Sequence, residues 1–395
     1  MKKLFEKNEL KHLWPMYAYY LIVSFTGIIF PYMFIYFVDA GFTYFHIAVL
    51  LGIFNLSMIL FEIPTGAIAD SYSRKKSVIA GALISGLCFA SIYFISSFEG
   101  LILVFIIIGI AMTLTSGAES AWIVSNLKKL KQEKLIDGFF MKAQIIRTIV
   151  SVLSALLGVY LIEKYSMRPL WLLVGFGFIV SGIILEIFLK ELMPPKKHNF
   201  KKANKEHIKL IKRGFKLILN NKNIFYIILS AGIINMTHRA GDYYEVLIVE
   251  TGLPVQYLGY FIAIVSIISA FGMIISKHFK NYNKTLINNL IISSILFVIT
   301  IFVKNLFAVA IIYILFFSIN IINYPILQII TQRSIEEKTR ATVTSIQSMI
   351  TNLMSIMMGL IVGAVANIST LALGISTAAI VSLLGILVVR RIKEV

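Results

Sequence analysis

Runs of about 20 apolar residues recur along this chain, and almost all of its charge falls in the short stretches between them. The stretches Leu101 to Ile110 and Leu290 to Val303 hold no charged residue at all. Such runs match the thickness of a bilayer core. A helix is the element that spans it while satisfying its own backbone N–H and C=O groups. A transmembrane β-barrel would show short alternating segments instead, and none are seen. Composition agrees: 14% of residues are charged and 58% are hydrophobic, against about 25% charged in a water-soluble domain. The fold class expected is an all-α membrane protein.

About twelve spans are predicted, near 14–38, 46–69, 77–97, 100–126, 139–162, 168–190, 223–248, 255–276, 284–303, 305–331, 341–366 and 369–389. The longest polar insert divides them six and six. The predicted organisation is a six-helix bundle over 1–190, a basic linker over 191–222 and a second six-helix bundle over 223–395. The linker opens with Pro194-Pro195-Lys196-Lys197-His198. It continues as an amphipathic stretch with Ile208, Ile211 and Phe215 at helical spacing, which suits a surface helix at the lipid headgroups.

The net charge is +18, but its placement argues against nucleic acid. Segments 1–13, 70–76, 127–138, 191–222, 277–284, 332–340 and 390–395 together carry 30 of the 37 Lys and Arg residues. The loops of the opposite side carry only Lys164, Arg168 and Lys304. This asymmetry places both termini in the cytoplasm, and the net charge then reflects topology and attraction to anionic lipid. The apolar run after Leu13 is too long for a secretory signal and lacks a small-residue cleavage site, so the first helix is expected to stay. Cys88 lies inside an apolar run and offers no disulfide framework.

Between the second and third spans the chain reads Gly66-Ala67-Ile68-Ala69-Asp70-Ser71-Tyr72-Ser73-Arg74-Lys75-Lys76. Asp70 ends one helix, Arg74 and Lys75 follow within ion-pair reach, and Gly66 would allow close helix approach. This pattern, with two six-helix halves and cytoplasmic termini, resembles the major facilitator superfamily. That family carries Gly-x-x-x-Asp-x-x-x-Arg-Lys/Arg at the same place. Ser71 stands where the family usually has a basic residue, and Ser73 where it usually has a glycine. The resemblance implies that Gly66, Asp70, Arg74 and Lys75 form a conformational latch. It also implies that Asp70 faces the helix beginning near Ala341. A faint echo, Gly272 with Lys277 and Lys280, fits a duplication.

Ionisable side chains inside a span are costly and tend to pair or to function. Glu62 lies in span 2, Glu119 in span 4 and Arg147 in span 5. Glu119 and Arg147 fall at similar depth on consecutive helices and are expected to face each other, either as a structural pair or as a pair that senses substrate or proton. Span 7 holds His238, Arg239, Asp242 and Glu245, with 238, 242 and 245 on one helical face. Burial in low dielectric favours a neutral acid, which suits a proton carrier. An Arg239 salt bridge or a solvated vestibule fits these residues as well. In span 10, Asn320, Tyr324 and Gln328 recur every fourth residue, as a stripe that lines a path or joins helices. Tyr32 and Tyr36 of span 1 belong to an interfacial belt or face a pathway. The resemblance implies that spans 1, 4, 7 and 10 line a central cavity, which favours Glu119, Asp242 and Asn320.

No P-loop, metal-ligand spacing or nucleophile triad occurs, so neither ATP, a metal, another cofactor nor enzymatic chemistry is expected. The fifth span lacks the Gly-Pro motif of proton-coupled drug exporters, and the fourth carries Glu119 where those carry arginine. Glu62-Ile63-Pro64-Thr65-Gly66 and Ser116-Gly117-Ala118-Glu119 instead resemble a bacterial, efflux-like branch of the family. The expected function is secondary transport by alternating access, with proton-coupled export of small amphipathic compounds. Import of a nutrient, or export of an endogenous peptide, metallophore or lipid, is the alternative. The expected setting is a bacterial cell membrane, where a monomer works among lipids, with protons and a small-molecule cargo as partners.

Overall fold

In the computed structural model, described for residues 5–6, 9–192, 200–275, 279, 281–335 and 337–393, the apolar runs are helices and no strand occurs among the described residues. Side chains at 200–208, 210, 270, 273–275, 337, 338 and 341 fall outside the description.

The helices are α1 (Glu9–Phe25), α2 (Met33–Asp39), α3 (Tyr44–Ser71), α4 (Arg74–Ile92), α5 (Phe98–Lys129), α6 (Leu135–Tyr165), α7 (Leu170–Phe188) and α8 (Phe200–Asn220). They continue as α9 (Lys222–Gly241), α10 (Tyr244–Glu250), α11 (Leu258–Ile275), α12 (Tyr282–Thr300), α13 (Leu306–Ser334), α14 (Glu337–Ile368), α15 (Leu371–Ser376) and α16 (Ala378–Val389). A 3₁₀ stretch, Thr26–Tyr32, joins α1 to α2. Small polar residues set the starts. Ser73, Ser97, Asn221, Asn281, Asn305 and Thr370 each accept a backbone N–H of the first turn that no helical carbonyl can satisfy.

Among the described residues, ten helices or joined helices are long and apolar enough to cross a membrane. The predicted span 223–248 qualifies only together with Ile211–Asn220, across a 106° bend, because His238, Arg239, Asp242 and Glu245 dilute its apolar character. The predicted span 255–276 corresponds to a 3₁₀ turn, Val255–Tyr257, followed directly by α11 (Leu258–Ile275).

The chain forms two compact units: residues 1–30 with 56–207, and residues 31–55 with 208–395. Residues 31–55, expected within the first bundle, thus group with the second unit. In the first unit α4 packs on α5 and α7, and α1 packs on α6 and α7. Gly86 and Gly175 let α4 and α7 touch backbone to backbone. A Cβ on Gly86 would lie 2.7 Å from the Gly175 carbonyl oxygen, and one on Gly175 would lie 2.5 Å from that of Gly86. The core of this unit gathers Leu13, Trp122, Phe139 and Leu185.

In the second unit α9 packs on α14, α16 and α13, and α12 packs on α16 and α13. Here α2 lies against α10, with the Phe34 and Tyr243 rings 5.0 Å apart. The Tyr44 hydroxyl donates to Glu250. The end of the linker helix α8 departs from the expected surface position. Ile218 is buried with Ile224, Val343 and Ile346, and Phe215 packs on that cluster. Its apolar stripe finds protein on α9 and α14, which removes it from water as effectively as lipid would. The Pro194-Pro195-Lys196-Lys197-His198 segment, the Ile208 side chain, and Lys277 and Lys280 lie outside the described residues.

Candidate functional site

Two polar clusters lie within the apolar helices, one in each unit. In the first, α1 supplies Tyr19 and Tyr20, α5 supplies Glu119 and α6 supplies Arg147. The Arg147 guanidinium approaches the Glu119 carboxylate at 3.5 Å. The Tyr20 hydroxyl donates to the same carboxylate at 3.1 Å. Arg147 also lies over the face of the Tyr20 ring, 4.0 Å from its centre, a cation–π contact. The Glu119 side chain is 17% exposed and Arg147 42%, so the carboxylate is enclosed while the cation has an open side. Removing the charge on Glu119 would free Arg147 from its anion. A cationic cargo would compete for the carboxylate, and an anionic one for the guanidinium.

The second cluster forms where α9 stops. Gly241 admits the Phe316 ring against the backbone, where a Cβ would lie 2.1 Å from it, and the helix is interrupted at 242–243. The chain keeps helical hydrogen bonds through this turn, from the Asp242 N–H to the His238 carbonyl at 3.2 Å and from the Glu245 N–H to the Asp242 carbonyl at 3.4 Å, so 238, 242 and 245 stay neighbours along it. His238 and Asp242 remain neighbours, with Nδ1 3.7 Å from a carboxylate oxygen, and Arg239 donates to Asp242 at 3.0 Å. Glu245 lies in α10, beside Asp242 and Tyr313. The His238 ring meets Phe317 at 5.3 Å and Tyr324 at 5.6 Å.

The remaining candidates separate. Tyr324 and Gln328 share an exposed face of α13, but Asn320 is fully buried. Its amide donates to Ser293 at 3.0 Å and its carbonyl accepts from Asn323, which in turn accepts from Asn289 at 2.7 Å. Asn320 thus joins α13 to α12, and the stripe of the sequence reading does not hold together. Tyr32 is fully buried in the second unit and Tyr36 half-buried against Phe37, 5.2 Å away. Glu62 is exposed on α3, with no ion pair to its carboxylate among the described residues.

The latch residues are tied down within the first unit. Arg74 pairs with Asp70 at 2.8 Å and donates to the Ala121 carbonyl at 3.1 Å. Lys75 donates to the Glu186 carbonyl at 2.8 Å and approaches the Glu186 carboxylate at 3.5 Å. One short motif therefore joins α3, α4, α5 and α7. Gly66 departs from expectation: a Cβ there would meet nothing within 4 Å, so no close approach uses it.

Two features escaped the sequence reading. Glu191, just past α7, accepts the Ser73 hydroxyl and the Arg74 backbone N–H, the latter at 2.9 Å, and so caps α4 with a full negative charge. Glu9 is 1% exposed and is held by Lys142 at 2.6 Å and by the Tyr17 hydroxyl at 2.5 Å. Its place at the start of a helix resembles an ordinary first-turn acid, so local sequence carried no sign of burial. No group of three or more His, Cys, Asp or Glu able to hold a metal occurs among the described residues.

The profile of the Major Facilitator Superfamily matches residues 15–359. The chain is 24% identical over 240 residues to YxaM of Bacillus subtilis, described as an uncharacterized MFS-type transporter, covering 60% of this chain and 59% of that one. It is 26% identical over 253 residues to MJ1560 of Methanocaldococcus jannaschii, described likewise, covering 62% of each. The chain thus matches about three-fifths of the length of these relatives. Among solved structures, it resembles a bacterial homologue of the human lysosomal transporter Spinster, inward-facing and unoccupied, with a TM-score of 0.76 at 13% identity over 98% of each chain. It also resembles the nucleoside transporter NupG, with a TM-score of 0.71 at 15% identity over 97% of this chain and 99% of that one. Helices, motif position and profile agree: the chain is a multi-pass membrane protein and belongs to the major facilitator superfamily.

Proposed function

We propose that this transporter works by alternating access and couples proton movement to the export of small amphipathic organic compounds. The observation that carries this reading is Glu119, an enclosed carboxylate shared by Arg147 at 3.5 Å and Tyr20 at 3.1 Å. A proton delivered to Glu119 neutralises the carboxylate, leaves Arg147 as the uncompensated charge and so releases a cationic or amphipathic cargo. Loss of that proton on the other side restores the anion. The Tyr19 and Tyr20 rings, 5.5 Å apart and buried beside the pair, give the carboxylate an aromatic wall. Asp242 and Glu245, beside Arg239, His238 and Tyr313, are the second place where a proton could be carried. In this reading the molecule is a monomer of six-and-six helices in a bacterial cell membrane. Both termini are cytoplasmic, and it acts as a carrier and not as an enzyme.

A second reading, carriage of a polar or anionic metabolite, is supported by Arg147, whose side chain is 42% exposed.

Proteoliposomes with an imposed pH gradient and an internal pH-sensitive dye test these readings. Proton flux triggered by an amphipathic cation, and lost in Glu119→Gln or Asp242→Asn, is the expected result. Proton entry together with a sugar, nucleoside or amino acid would replace export by import. If pH-driven transport survived replacement of both carboxylates, proton coupling through them would be wrong.

A further inference from the structure

At the basic ends of α1, α5 and α7 the first unit carries an open cavity of about 460 Å³ that none of the transport chemistry uses. Its floor is apolar and aromatic, with the Trp14 and Phe188 rings 4.8 Å apart. Lys11, His12 and Lys190 also line it, and no acidic residue does. The carboxylates nearest to the lining in sequence are engaged elsewhere, Glu9 by Lys142, Glu186 by Lys75 and Glu191 by the start of α4. Trp122 forms part of the wall and is 3% exposed, yet its indole N–H has no hydrogen-bond partner among the described residues. Lys190 is held at the cavity because Asn126 accepts from the Leu192 N–H at 3.1 Å and donates to the Lys190 carbonyl at 2.9 Å. These residues sit at the boundary between apolar spans and the Lys-rich segments 1–13, 127–138 and 191–222.

We propose that this cavity binds an anionic phospholipid of the cytoplasmic leaflet. The phosphodiester would meet Lys11 and Lys190, and the acyl chains would lie along Trp14 and Phe188. Aromatic floor, cationic edge and an unpaired donor are the complement of a lipid headgroup joined to its chains, and basic pockets between helices on this side take such headgroups. The segment after Leu192 is a poorer occupant, because it reads Met-Pro-Pro-Lys-Lys-His and would bring like charge to a basic site. This inference goes beyond the transport reading and rests on it only for the cytoplasmic placement of these basic ends.

Tryptophan fluorescence provides the test. In a Trp171→Phe background Trp14 and Trp122 are the remaining tryptophans, and both line the cavity. Full-length protein in detergent would be titrated with phosphatidylglycerol and with phosphatidylcholine, each brominated on its acyl chains. The expected result is saturable quenching by the anionic lipid at roughly tenfold lower concentration than by the zwitterionic one. That preference should disappear in Lys11→Gln/Lys190→Gln, two exposed side chains whose replacement leaves the core intact. Equal quenching by both lipids, or an unchanged preference in the double variant, would overturn the proposal. Displacement by millimolar inorganic phosphate alone would also overturn it, in favour of a simple anion site. So would quenching that emerges only after residues 193–199 are replaced by a Gly-Ser segment, since the linker would then be the occupant.

Discussion

Glu119 and Arg147, on successive long helices, meet at 3.5 Å, and the guanidinium lies over the face of the Tyr20 ring. The pair is unequal: the acid is enclosed and the base partly open. That asymmetry separates its cost to stability from its effect on transport. Because Arg147 is substantially exposed, Glu119→Gln should cost about 1 kcal/mol of stability or less. In the proton-coupled reading the same change should lower pH-driven flux at least about tenfold and leave the residual flux insensitive to the gradient. Thermal unfolding in detergent and proteoliposome flux, measured on one preparation, check both numbers.

Glu9 and Lys142 form the opposite case. Glu9 is 1% exposed, so Lys142→Met strands a carboxylate with only the Tyr17 hydroxyl and the Glu6 backbone N–H for company. A loss of about 3 kcal/mol is expected, because removing one partner of a buried pair leaves an uncompensated charge. The double variant Glu9→Leu/Lys142→Met should recover most of it. A double-mutant cycle on unfolding midpoints reads the coupling.

Asp70 and Arg74 are 52% and 31% exposed, so their ion pair contributes little to stability. Asp70→Asn is expected to shift stability by under about 1 kcal/mol. If the motif is the latch that its family resemblance implies, flux should nonetheless fall several-fold. Equal flux in the wild type and Asp70→Asn would reduce the motif to a brace for α3, α4, α5 and α7.

Asn320 is expected to behave as a structural residue. Asn320→Ala removes its bond to Ser293 and leaves the Asn323 amide short of its acceptor, at a cost of about 1–3 kcal/mol. Flux per folded molecule should stay at the wild-type value. A change in apparent substrate affinity in this variant would instead return Asn320 to the transport path.

The sequence by itself determined the solvent, the helical class, most of the spans and the family motif, because each is a local property. A span needs about 20 consecutive apolar residues, topology is carried by lysines and arginines in short loops, and the motif occupies consecutive positions from Gly66 to Lys75. Glu119 and Arg147 were legible as partners since depth on neighbouring helices follows from counting residues. Tertiary structure decided what depends on the rotation of each helix about its axis and on where helices cross. It brought Tyr20 to Glu119 over 99 residues and Lys142 to Glu9 over 133. It turned Asn320 inward while leaving Tyr324 and Gln328 exposed on the same helix. It set the Phe316 ring against Gly241, just before the turn at 242–243, and brought Tyr313 beside Glu245. Periodicity says which residues share a face; only packing says what that face meets.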